Sequence, residues 1–358
     1  MRPVKRIAIL VPAYMEDNVI TFTAANLLNL DYPRELYDVY IIADSFRQDT
    51  LQALRRLPLY VFEVSFENST KTKALNEAFK RIEKPYDIAL ICDGDNMLGK
   101  HFLKKTNDAF VAGARAVQGR RIAKNLDTSF AILDACSEAI NNHIFRKGTN
   151  AMGLSSAICG SGMAFDYSLV KEILGEIDVV GGFDKILQLK ILQRRIFIHY
   201  MEHALIYDEK VDSSSAFSQQ RKRWLSSQLI YSKRFFFPAF RELFKGNFSY
   251  FNLAVANYCI LPKAFLLVIL PVLALAGFLV NRDWGIATTG LWILYNFALI
   301  LSLPPVLING DLFRAMFTIP RAVSLMFGAL FQFKKADEQF IHTPHTKTGI
   351  TNQSKGRL

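Results

Sequence analysis

The chain has 358 residues, with Lys+Arg 43 against Asp+Glu 32 and a formal net charge of +11. Hydrophobic residues make up 51% of it and phenylalanine alone counts 29, so a nucleic-acid binder, which is rarely this apolar, is not expected. A basic and apolar chain of this length is more typical of one or two domains that lie against an anionic membrane leaflet, with membrane lipids as partners.

The cysteines are scattered in or beside apolar runs, at Cys92, Cys136, Cys159 and Cys259. Because they form no C-x-x-C pair and have no histidine at metal-ligand spacing, we expect reduced, mostly buried thiols and a main domain that faces the cytosol. The N-terminus is basic, but the apolar stretch after it is short and runs into Pro12 and Glu16. We therefore expect a first strand there and no export signal.

The first third of the chain alternates apolar strands with helical patterns. Strands are predicted over residues 7–11, 37–43, 59–64 and 87–92, and helices over residues 19–30 and 70–82. This alternation is typical of an α/β fold with a mostly parallel sheet and helices on both faces. Ligands of such sheets bind beyond the carboxyl ends of the strands, where Tyr14, Asp44 and Asp93 fall.

The middle of the chain has a mixed pattern. Helical spacing predicts helices over residues 97–112, 129–145 and 183–192, the last opened by Gly181-Gly182. Gly160-Ser161-Gly162 follows an apolar stretch. The sequence contains no internal repeat and no low-complexity linker.

The composition changes after Trp224. Residues 234–245 mix cations with aromatic side chains, which is typical of a segment in the lipid headgroup layer. Residues 255–280 and 286–308 are apolar, and at about 1.5 Å per residue each is long enough to cross a hydrocarbon core of about 30 Å. Since cations concentrate before the first segment and after the second, we expect a transmembrane hairpin that enters and returns on the cytosolic side.

The end of the chain is less uniform. Residues 313–333 are apolar but are broken by Arg314, Pro320 and Arg321, so an amphipathic interfacial segment is expected, with a third crossing as the alternative. The tail over 334–358 is polar. We therefore predict a cytosolic domain over 1–230 and a multi-pass region of the inner cell membrane over 231–358.

Asp93-Gly94-Asp95 closes the strand predicted over residues 87–92. Two carboxylates around a glycine turn can hold Mg²⁺ or Mn²⁺, because hard cations prefer oxygen ligands and Mg²⁺ often combines carboxylates with substrate phosphates. The alternative is a solvated turn, since Asp and Gly are common turn residues.

Lys71 opens a predicted helix, and a cation with backbone donors at a helix start suits an anion. A surface basic patch is the alternative. Asp184 follows the aromatic Phe183, and partial burial would raise its affinity for a proton, which suits a general base that acts on a sugar hydroxyl. The alternative for Asp184 is a helix N-cap.

Gln220-Arg221-Lys222-Arg223-Trp224 gathers an amide, three cations and an indole in five residues. Gln220, Arg223 and Trp224 fall near one helical face. Arginine offers forked donors to phosphate oxygens, and tryptophan offers a flat apolar surface for a sugar ring. A basic juxtamembrane stretch with an interfacial tryptophan is the alternative.

In this order the motifs resemble inverting family-two glycosyltransferases, and within them the membrane synthases typified by cellulose, chitin and hyaluronan synthases. The resemblance covers roughly residues 6–224 and continues loosely through the membrane hairpin. The residues that carry it are Pro12-Ala13-Tyr14 with Glu16, Asp44, Lys71-x-x-Ala74-Leu75-Asn76, Asp93-x-Asp95, Gly160-Ser161-Gly162, Asp184 and Gln220-x-x-Arg223-Trp224.

The resemblance implies a glycosyltransferase A-type, nucleotide-sugar-binding fold and a role for each motif. The donor would contact Pro12, Tyr14, Glu16, Asp44, Lys71, Asp93, Gln220, Arg223 and Trp224. The acceptor would contact Gly160, Ser161, Gly162 and Trp224. Asp93 and Asp95 would hold Mg²⁺ or Mn²⁺, and Asp184 matches the catalytic aspartate.

Two positions depart from the family pattern. Phe183 stands where the family has a glutamate before the catalytic aspartate, which puts a usual acceptor contact in doubt. Residues 340–344 resemble the family's gating loop, but His345 replaces its lysine.

The implied enzyme is a membrane-bound, inverting, metal-dependent hexosyltransferase. It would move a sugar from a nucleotide-diphosphate sugar, with a UDP-sugar as first choice, to a glycan in polysaccharide or oligosaccharide synthesis. The first alternative is transfer of one sugar to a lipid acceptor, since two clear crossings are few for a polymer channel. The second is a non-catalytic membrane protein that keeps the fold, which the intact acidic positions argue against.

Overall fold

The computed structural model describes residues 1–179, 181–258, 262–330 and 345–350. Within these residues one eight-stranded sheet has the order β3-β2-β1-β4-β7-β6-β8-β5. Its strands are β1 (Ile7–Tyr14), β2 (Tyr37–Asp44), β3 (Tyr60–Val64), β4 (Ile88–Ile91), β5 (Met97–Leu98), β6 (Ala116–Ala123), β7 (Met163–Asp166) and β8 (Ile198–Asp208). The four strands predicted in the first third are confirmed, with their ends shifted by at most three residues.

The sheet is mixed, which corrects the prediction of a mostly parallel one. β1 pairs in parallel with β2 and β4, β2 with β3, and β6 with β8. β7 runs antiparallel to both β4 and β6, and β5 runs antiparallel to β8. The reason is that a short apolar run such as β7 has the same side-chain pattern in either direction, so its orientation depends on the connections around it.

Helices cover both faces of the sheet and make up most of the described residues after β8. In chain order they are α1 (Ile20–Leu28), α2 (Gln48–Arg55), α3 (Lys71–Arg81), α4 (Phe102–Val111), α5 (Ser129–Asn141), α6 (Thr149–Ala151), α7 (Tyr167–Gly175), α8 (Phe183–Gln193), α9 (Ser214–Phe244), α10 (Phe248–Tyr258), α11 (Lys263–Val280), α12 (Arg282–Leu301), α13 (Gly310–Met316) and α14 (Ile319–Leu330). A π-helical turn, Asn142–Gly148, follows α5, and 3-10 turns lie at Arg34–Leu36 and Pro305–Leu307. The helix predicted over residues 97–112 is wrong at its start, because Met97–Leu98 pairs with β8 as a strand.

The core consists of two layers, one on each face of the sheet. Along β1, Ala8 and Leu10 pack into the layer under α3, α7 and α8. Ile7 and Ile9 pack into the layer under α1, α2 and α4. All four are fully buried, which explains why β1 is a continuous apolar run rather than an alternating one.

The C-terminal helices differ in their bounds from the predicted membrane segments. α11 begins at Lys263 and not at residue 255, because Pro262 stands at its N-cap position and α10 ends at Tyr258. α12 ends at Leu301, since Pro304 and Pro305 cannot continue a helix. By length and composition α11 and α12 could each cross a membrane, with only 17% and 6% of their apolar windows buried.

The segment predicted over 313–333 contains two helices in its described part. α13 packs against α5, and α14 packs against α9. Residues 331–333 and most of the polar tail lie outside the described residues. α9 passes through residue 230, where the sequence predicted a domain boundary, without a break.

Gly162 gives a first prediction, because it directly precedes β7 and the Ile206 side chain of β8 lies close to it. Its φ is +57°, and an added Cβ would come within 2.0 Å of Ile206 Cδ1. We expect Gly162→Ala to lower the free energy of unfolding by about 1–3 kcal/mol, from overpacking and backbone strain together. Thermal unfolding in detergent measures this. Gly153→Ala is the control, since its φ is +75° but nothing lies within 4 Å of the added carbon. Equal thermal unfolding midpoints for the two variants would contradict the expected steric overlap with Ile206.

Candidate active site

A cavity of about 270 Å³ opens at the carboxyl ends of β1, β2 and β4. The cavity is lined by residues that the sequence analysis selected, and these residues come from five separate stretches of the chain. They are Pro12, Tyr14, Glu16, Asp44, Lys71, Asp93, Asp95, Gln220 and Trp224.

The parallel strands bring the first of these residues together. Tyr14 and Asp44 are register partners at the ends of β1 and β2. The residues that follow them, Met15 and Ser45, have φ values of +55° and +60°, so both strands end in turns that non-glycine residues rarely adopt. Such strained positions collect at functional sites, and here they turn the chain away just beyond Tyr14 and Asp44.

The acidic turn, Asp93-Gly94-Asp95, is held from several sides. The Asp93 backbone N–H donates to Ser161 Oγ at 3.0 Å. The Lys71 ammonium pairs with the Asp93 carboxylate and donates to the Gly160 carbonyl at 2.7 Å. A Cβ on Gly94 would lie 2.9 Å from Ala13 Cβ, so glycine is what lets this turn approach β1.

Asp95 is the buried member of the turn, with 5% of its surface exposed. Burial raises the pKa of Asp95 to about 6, and the nearby Asp208, Asp93 and Glu16 carboxylates act in the same direction, while His345 opposes them. Several carboxylates therefore share one small region around Asp95, which makes it a place where a cation is favoured.

Asp184 lies in the first turn of α8, and Gly182 with φ +64° is the N-cap. The alternative of an N-cap aspartate is therefore wrong. A Cβ on Gly160 would lie 3.7 Å from Asp184 Oδ2, so the carboxylate faces the same glycine whose carbonyl accepts from Lys71. Asp184 does not line the cavity itself, but it is separated from Asp93 by only Gly160 and Lys71.

Phe183, which replaces the family's glutamate, packs beside the same lysine. The Lys71 Nζ atom lies 5.1 Å from the centroid of the Phe183 ring. An ammonium over an aromatic face is a cation–π contact. The substitution thus puts an apolar surface, rather than a carboxylate, next to Asp184.

The predicted acceptor triplet lies below the acidic turn rather than on the cavity wall. Ser161 is fully buried, and its carbonyl accepts from Gln118 Nε2 at 3.0 Å. Gly160 has φ +84° and carries the carbonyl that Lys71 contacts. These contacts assign the triplet a bracing position beneath Asp93 and Lys71.

The basic pentapeptide lies on α9, as its spacing predicted. Gln220 and Trp224 line the cavity, and the Trp224 side chain is 39% exposed. The Gln220 Oε1 atom is buried and has no hydrogen-bond partner among the described residues. Arg223 is not part of the cavity wall, and burial lowers the pKa of its guanidinium.

Sequence reasoning missed a set of charged residues on the far wall of the cavity. They are Arg121, Asp134, Asp208, Glu209 and Lys210. They were missed because β6 and β8, which carry or precede most of them, were not predicted. A signal was present: Asp208-Glu209 follows an apolar run, as Asp93-Gly94-Asp95 does.

A buried ionic network supports this wall. Arg121 and Arg146 each donate to the Glu138 carboxylate at 2.7 Å, and Lys210 donates to Asp208 at 2.7 Å. Burial alone would raise the pKa of Glu138, but the two guanidinium groups hold it well below its usual range. Because each buried charge has a partner, the network keeps β6, β8 and α5 in fixed relative positions.

His345 lines the cavity, and the two residues after it contact Glu209, which lines the cavity as well. The His345 ring lies with Nδ1 2.8 Å from Glu16 Oε1, and Glu209 accepts the backbone N–H groups of Thr346 and Lys347 at 3.1 and 2.9 Å. Burial lowers the pKa of His345, but Asp95 and Glu16 outweigh it and raise the pKa to about 10. The gating-loop motif over 340–344 lies outside the described residues.

The chemistry of the cavity suits a divalent cation, although no group of three or more His, Cys, Asp or Glu side chains converges as a metal site in the described part of the chain. Seven carboxylates line the cavity, namely Glu16, Asp44, Asp93, Asp95, Asp134, Asp208 and Glu209. Four basic side chains line it: Lys71, Arg121, Lys210 and His345. Because acids outnumber bases, an anionic diphosphate would need an added cation there, and oxygen donors are those that Mg²⁺ and Mn²⁺ prefer.

The family model described as "Glycosyltransferase like family 2" matches residues 3–227. The chain belongs to this family. It is therefore a member of a glycosyltransferase family, and its use of a nucleotide sugar stays a prediction. The narrower likeness to cellulose, chitin and hyaluronan synthases stays a prediction.

Two curated relatives and one solved structure are similar to this glycosyltransferase. "Probable glycosyltransferase YdaM" of Bacillus subtilis is 23% identical over 70% of this chain and 64% of its own length. "Beta-monoglucosyldiacylglycerol synthase" of Trichormus variabilis is 25% identical over 61% of this chain and 48% of its own length. The solved structure is mannosyltransferase PcManGT from Pyrobaculum calidifontis in complex with GDP-Man and Mn²⁺, with 19% identity, coverage of 83% of this chain and 86% of that one, and a TM-score of 0.47. The chain thus spans about half to two thirds of the length of these curated relatives.

Proposed function

We propose that this glycosyltransferase transfers a single sugar from a nucleotide-diphosphate sugar, first of all a UDP-sugar, to a lipid acceptor at the cytosolic face of the membrane. The observation that carries the proposal is the shared cavity wall formed by Tyr14, Asp44, Lys71, the acidic turn and Trp224. α11, one of the two long apolar helices, begins beside this part of α9, because Phe265 packs in one cluster with Phe217 and Leu225. A donor pocket and a hydrophobic acceptor can therefore meet at one end of α9.

The proposed donor contacts follow from the chemistry of the wall. Tyr14, Glu16 and Asp44, with Pro12, form the side that receives the nucleotide. Asp93 and Asp95 would hold Mg²⁺ or Mn²⁺, which would supply charge neutralisation for a diphosphate leaving group. Lys71 and Gln220 line the same cavity, and Arg223 lies on the same helical face as Gln220. Hydrogen-bond donors directed at the charge that develops on the leaving diphosphate often supply a large part of the rate enhancement.

Asp184 is the proposed general base. Its carboxylate takes the proton from the acceptor hydroxyl, and the hydroxyl oxygen forms a bond to the anomeric carbon from the face opposite the diphosphate. The bond from that carbon to the diphosphate oxygen breaks, and its electron pair leaves with the nucleoside diphosphate. One such displacement inverts the configuration and gives a β-linkage from an α-linked donor.

Three observations favour a lipid over a glycan as acceptor. A curated relative is named as a synthase of a glucosyl lipid. The described residues contain two candidate spans, which are few for a polymer channel. Phe183 places an aromatic ring, not a carboxylate, beside Asp184. A growing glycan, as in polysaccharide or oligosaccharide synthesis, is the second candidate.

A transfer assay with product mass tests the function. The detergent-purified chain is incubated with Mn²⁺ or Mg²⁺, each common UDP- or GDP-sugar, and either diacylglycerol or an oligosaccharide. We expect a lipid that has gained one hexose. A ladder of longer products would support the glycan candidate. The absence of both transfer and donor hydrolysis with every sugar nucleotide would refute the assignment of this chain as an enzyme.

We also propose that residues 231–358 attach the cytosolic domain, residues 1–230, to the inner cell membrane. Phe237 and Phe244 on α9 are 74% and 87% exposed, near cations that suit anionic headgroups. α11 and α12 would form the crossing hairpin. The chain should remain in the membrane pellet after an alkaline carbonate wash, and its release into the supernatant would contradict the crossing.

A further inference from the structure

Arg221 differs from its neighbours in the basic pentapeptide. Gln220 and Trp224 line the cavity, but Arg221 does not, and only 8% of its surface is exposed. Its guanidinium therefore points into the protein, between α9 and α5, and not toward a donor phosphate.

The guanidinium lies between two aromatic rings of its own helix. Its Cζ atom is 4.7 Å from the centroid of the Phe217 ring and 4.3 Å from that of the Trp224 ring. Phe217 precedes Arg221 by four residues and Trp224 follows it by three, the spacings that face each other on a helix. A planar cation can contact an aromatic face on each side, which a lysine ammonium cannot do in the same way.

Asp134 on α5 fixes the position of this guanidinium. Arg221 Nη2 donates to Asp134 Oδ1 at 2.5 Å, and the two side chains are 10% and 7% exposed. One turn earlier on α5, Phe130 packs on Phe217 with ring centroids 5.4 Å apart. α5 therefore holds both Phe217 and Arg221, and Arg221 in turn contacts the Trp224 indole.

The indole is the part of this stack that reaches the cavity. Trp224 lines the cavity with 39% of its surface exposed, and its ring also contacts the guanidinium. A side chain that is half open can adopt other rotamers unless a neighbour restrains it. Arg221 provides that restraint, and Asp134 restrains Arg221.

We propose that Asp134 and Arg221 form a clamp that positions the Trp224 indole as a wall of the acceptor site, so that Arg221 is a positioning residue and not a phosphate ligand. The catalytic consequence rests on the proposed function, because it assumes that the indole contacts the acceptor. The clamp itself can be measured without any turnover.

The first experiment follows the indole directly. Trp224, Trp284 and Trp292 are the three tryptophans of the chain, so a W284F/W292F background leaves Trp224 as the single reporter. In that background Arg221→Lys should increase quenching of the fluorescence by acrylamide, because the planar contact is lost. Arg221→Lys keeps a cation opposite Asp134, so the buried carboxylate stays paired and the fold is retained. Asp134→Asn, which leaves the guanidinium unpaired, should act in the same direction.

The second experiment measures the kinetics with the acceptor and the binding of the donor separately. Arg221→Lys should lower kcat/KM for the acceptor by roughly 3- to 30-fold, the range of a lost cation–π contact, while donor binding by calorimetry is unchanged. In a Trp224→Ala background the same change should cause no further loss, since a residue that acts through the indole has nothing left to position. Lys233→Met removes an exposed cation from the same helix and should alter neither fluorescence nor kinetics.

The outcomes separate the clamp from the function. Unchanged acrylamide quenching in Arg221→Lys overturns the clamp whether or not sugar is transferred. The clamp is also overturned if Arg221→Lys weakens donor binding, or if its loss of kcat/KM for the acceptor persists in full in the Trp224→Ala background. Either result would indicate that Arg221 is a phosphate ligand. Increased quenching in a chain that transfers no sugar supports the clamp and refutes the proposed function.

Discussion

Replacing Asp184 with asparagine is expected to abolish measurable sugar transfer, with a loss of about 10³-fold or more, which is within the range for a general base. The amide cannot take the proton of the acceptor hydroxyl, but it keeps the size of the carboxylate and its place beside Gly160. Donor binding should therefore stay close to that of the unchanged enzyme. Initial transfer rates and calorimetric titration with the sugar nucleotide measure the two effects.

The control for Asp184→Asn is Asp178→Asn, an exposed aspartate in the segment that leads to the same helix. It should leave both transfer and donor binding unchanged. Normal turnover by Asp184→Asn would show that another group removes the proton. A parallel loss of donor binding would show that Asp184 serves the donor and not the acceptor.

Asp95→Asn is expected to lower transfer by about 10³-fold through a different step, since a metal that neutralises a leaving diphosphate is worth several kcal/mol. Here donor binding should weaken together with turnover, and the dependence of donor binding on Mn²⁺ should be lost. The protein without metal should become more stable, because a buried carboxylate beside Asp208, Asp93 and Glu16 is unfavourable in the absence of a cation.

These opposite effects make the Asp95 test specific. A simple packing defect would lower activity and the thermal midpoint together, whereas loss of a metal ligand lowers activity and raises the midpoint of the metal-free protein. Asp178→Asn again serves as the control. Full Mn²⁺-dependent donor binding by Asp95→Asn would remove Asp95 from the metal site.

The sequence allowed the first half of the fold to be predicted because its strands are continuous apolar runs. β6 could not be found in this way, since it carries Gln118, Gly119, Arg120 and Arg121 in its centre. Those residues are accommodated by tertiary partners: Gln118 contacts the loop at Ser161, and Arg121 pairs with Glu138. A strand whose polar residues are paired only in the folded protein has no apolar period to detect.

The residues of the candidate site likewise fall into those that could be predicted from sequence and those that could not. Residues that follow apolar strands, such as Tyr14, Asp44 and Asp93, could be grouped from sequence because strand ends share one edge of a sheet. Asp134 could not be linked to Arg221, which is 87 positions away and pairs with it inside a helix–helix contact. The triplet around Ser161 was assigned a ligand role, and only its burial reveals the contacts it makes beneath the acidic turn.

The unbroken course of α9 has a mechanical consequence. Trp224 and Phe237 belong to the same helix and precede Pro238, and at about 1.5 Å per residue they lie roughly 20 Å apart along its axis. A rigid rod of this kind cannot tilt at one end alone. If Phe237 lies in the lipid headgroup layer, as proposed above, bilayer thickness or lateral pressure acting on it would shift Trp224 as well, and transfer kinetics should then differ between micelles and lipid vesicles.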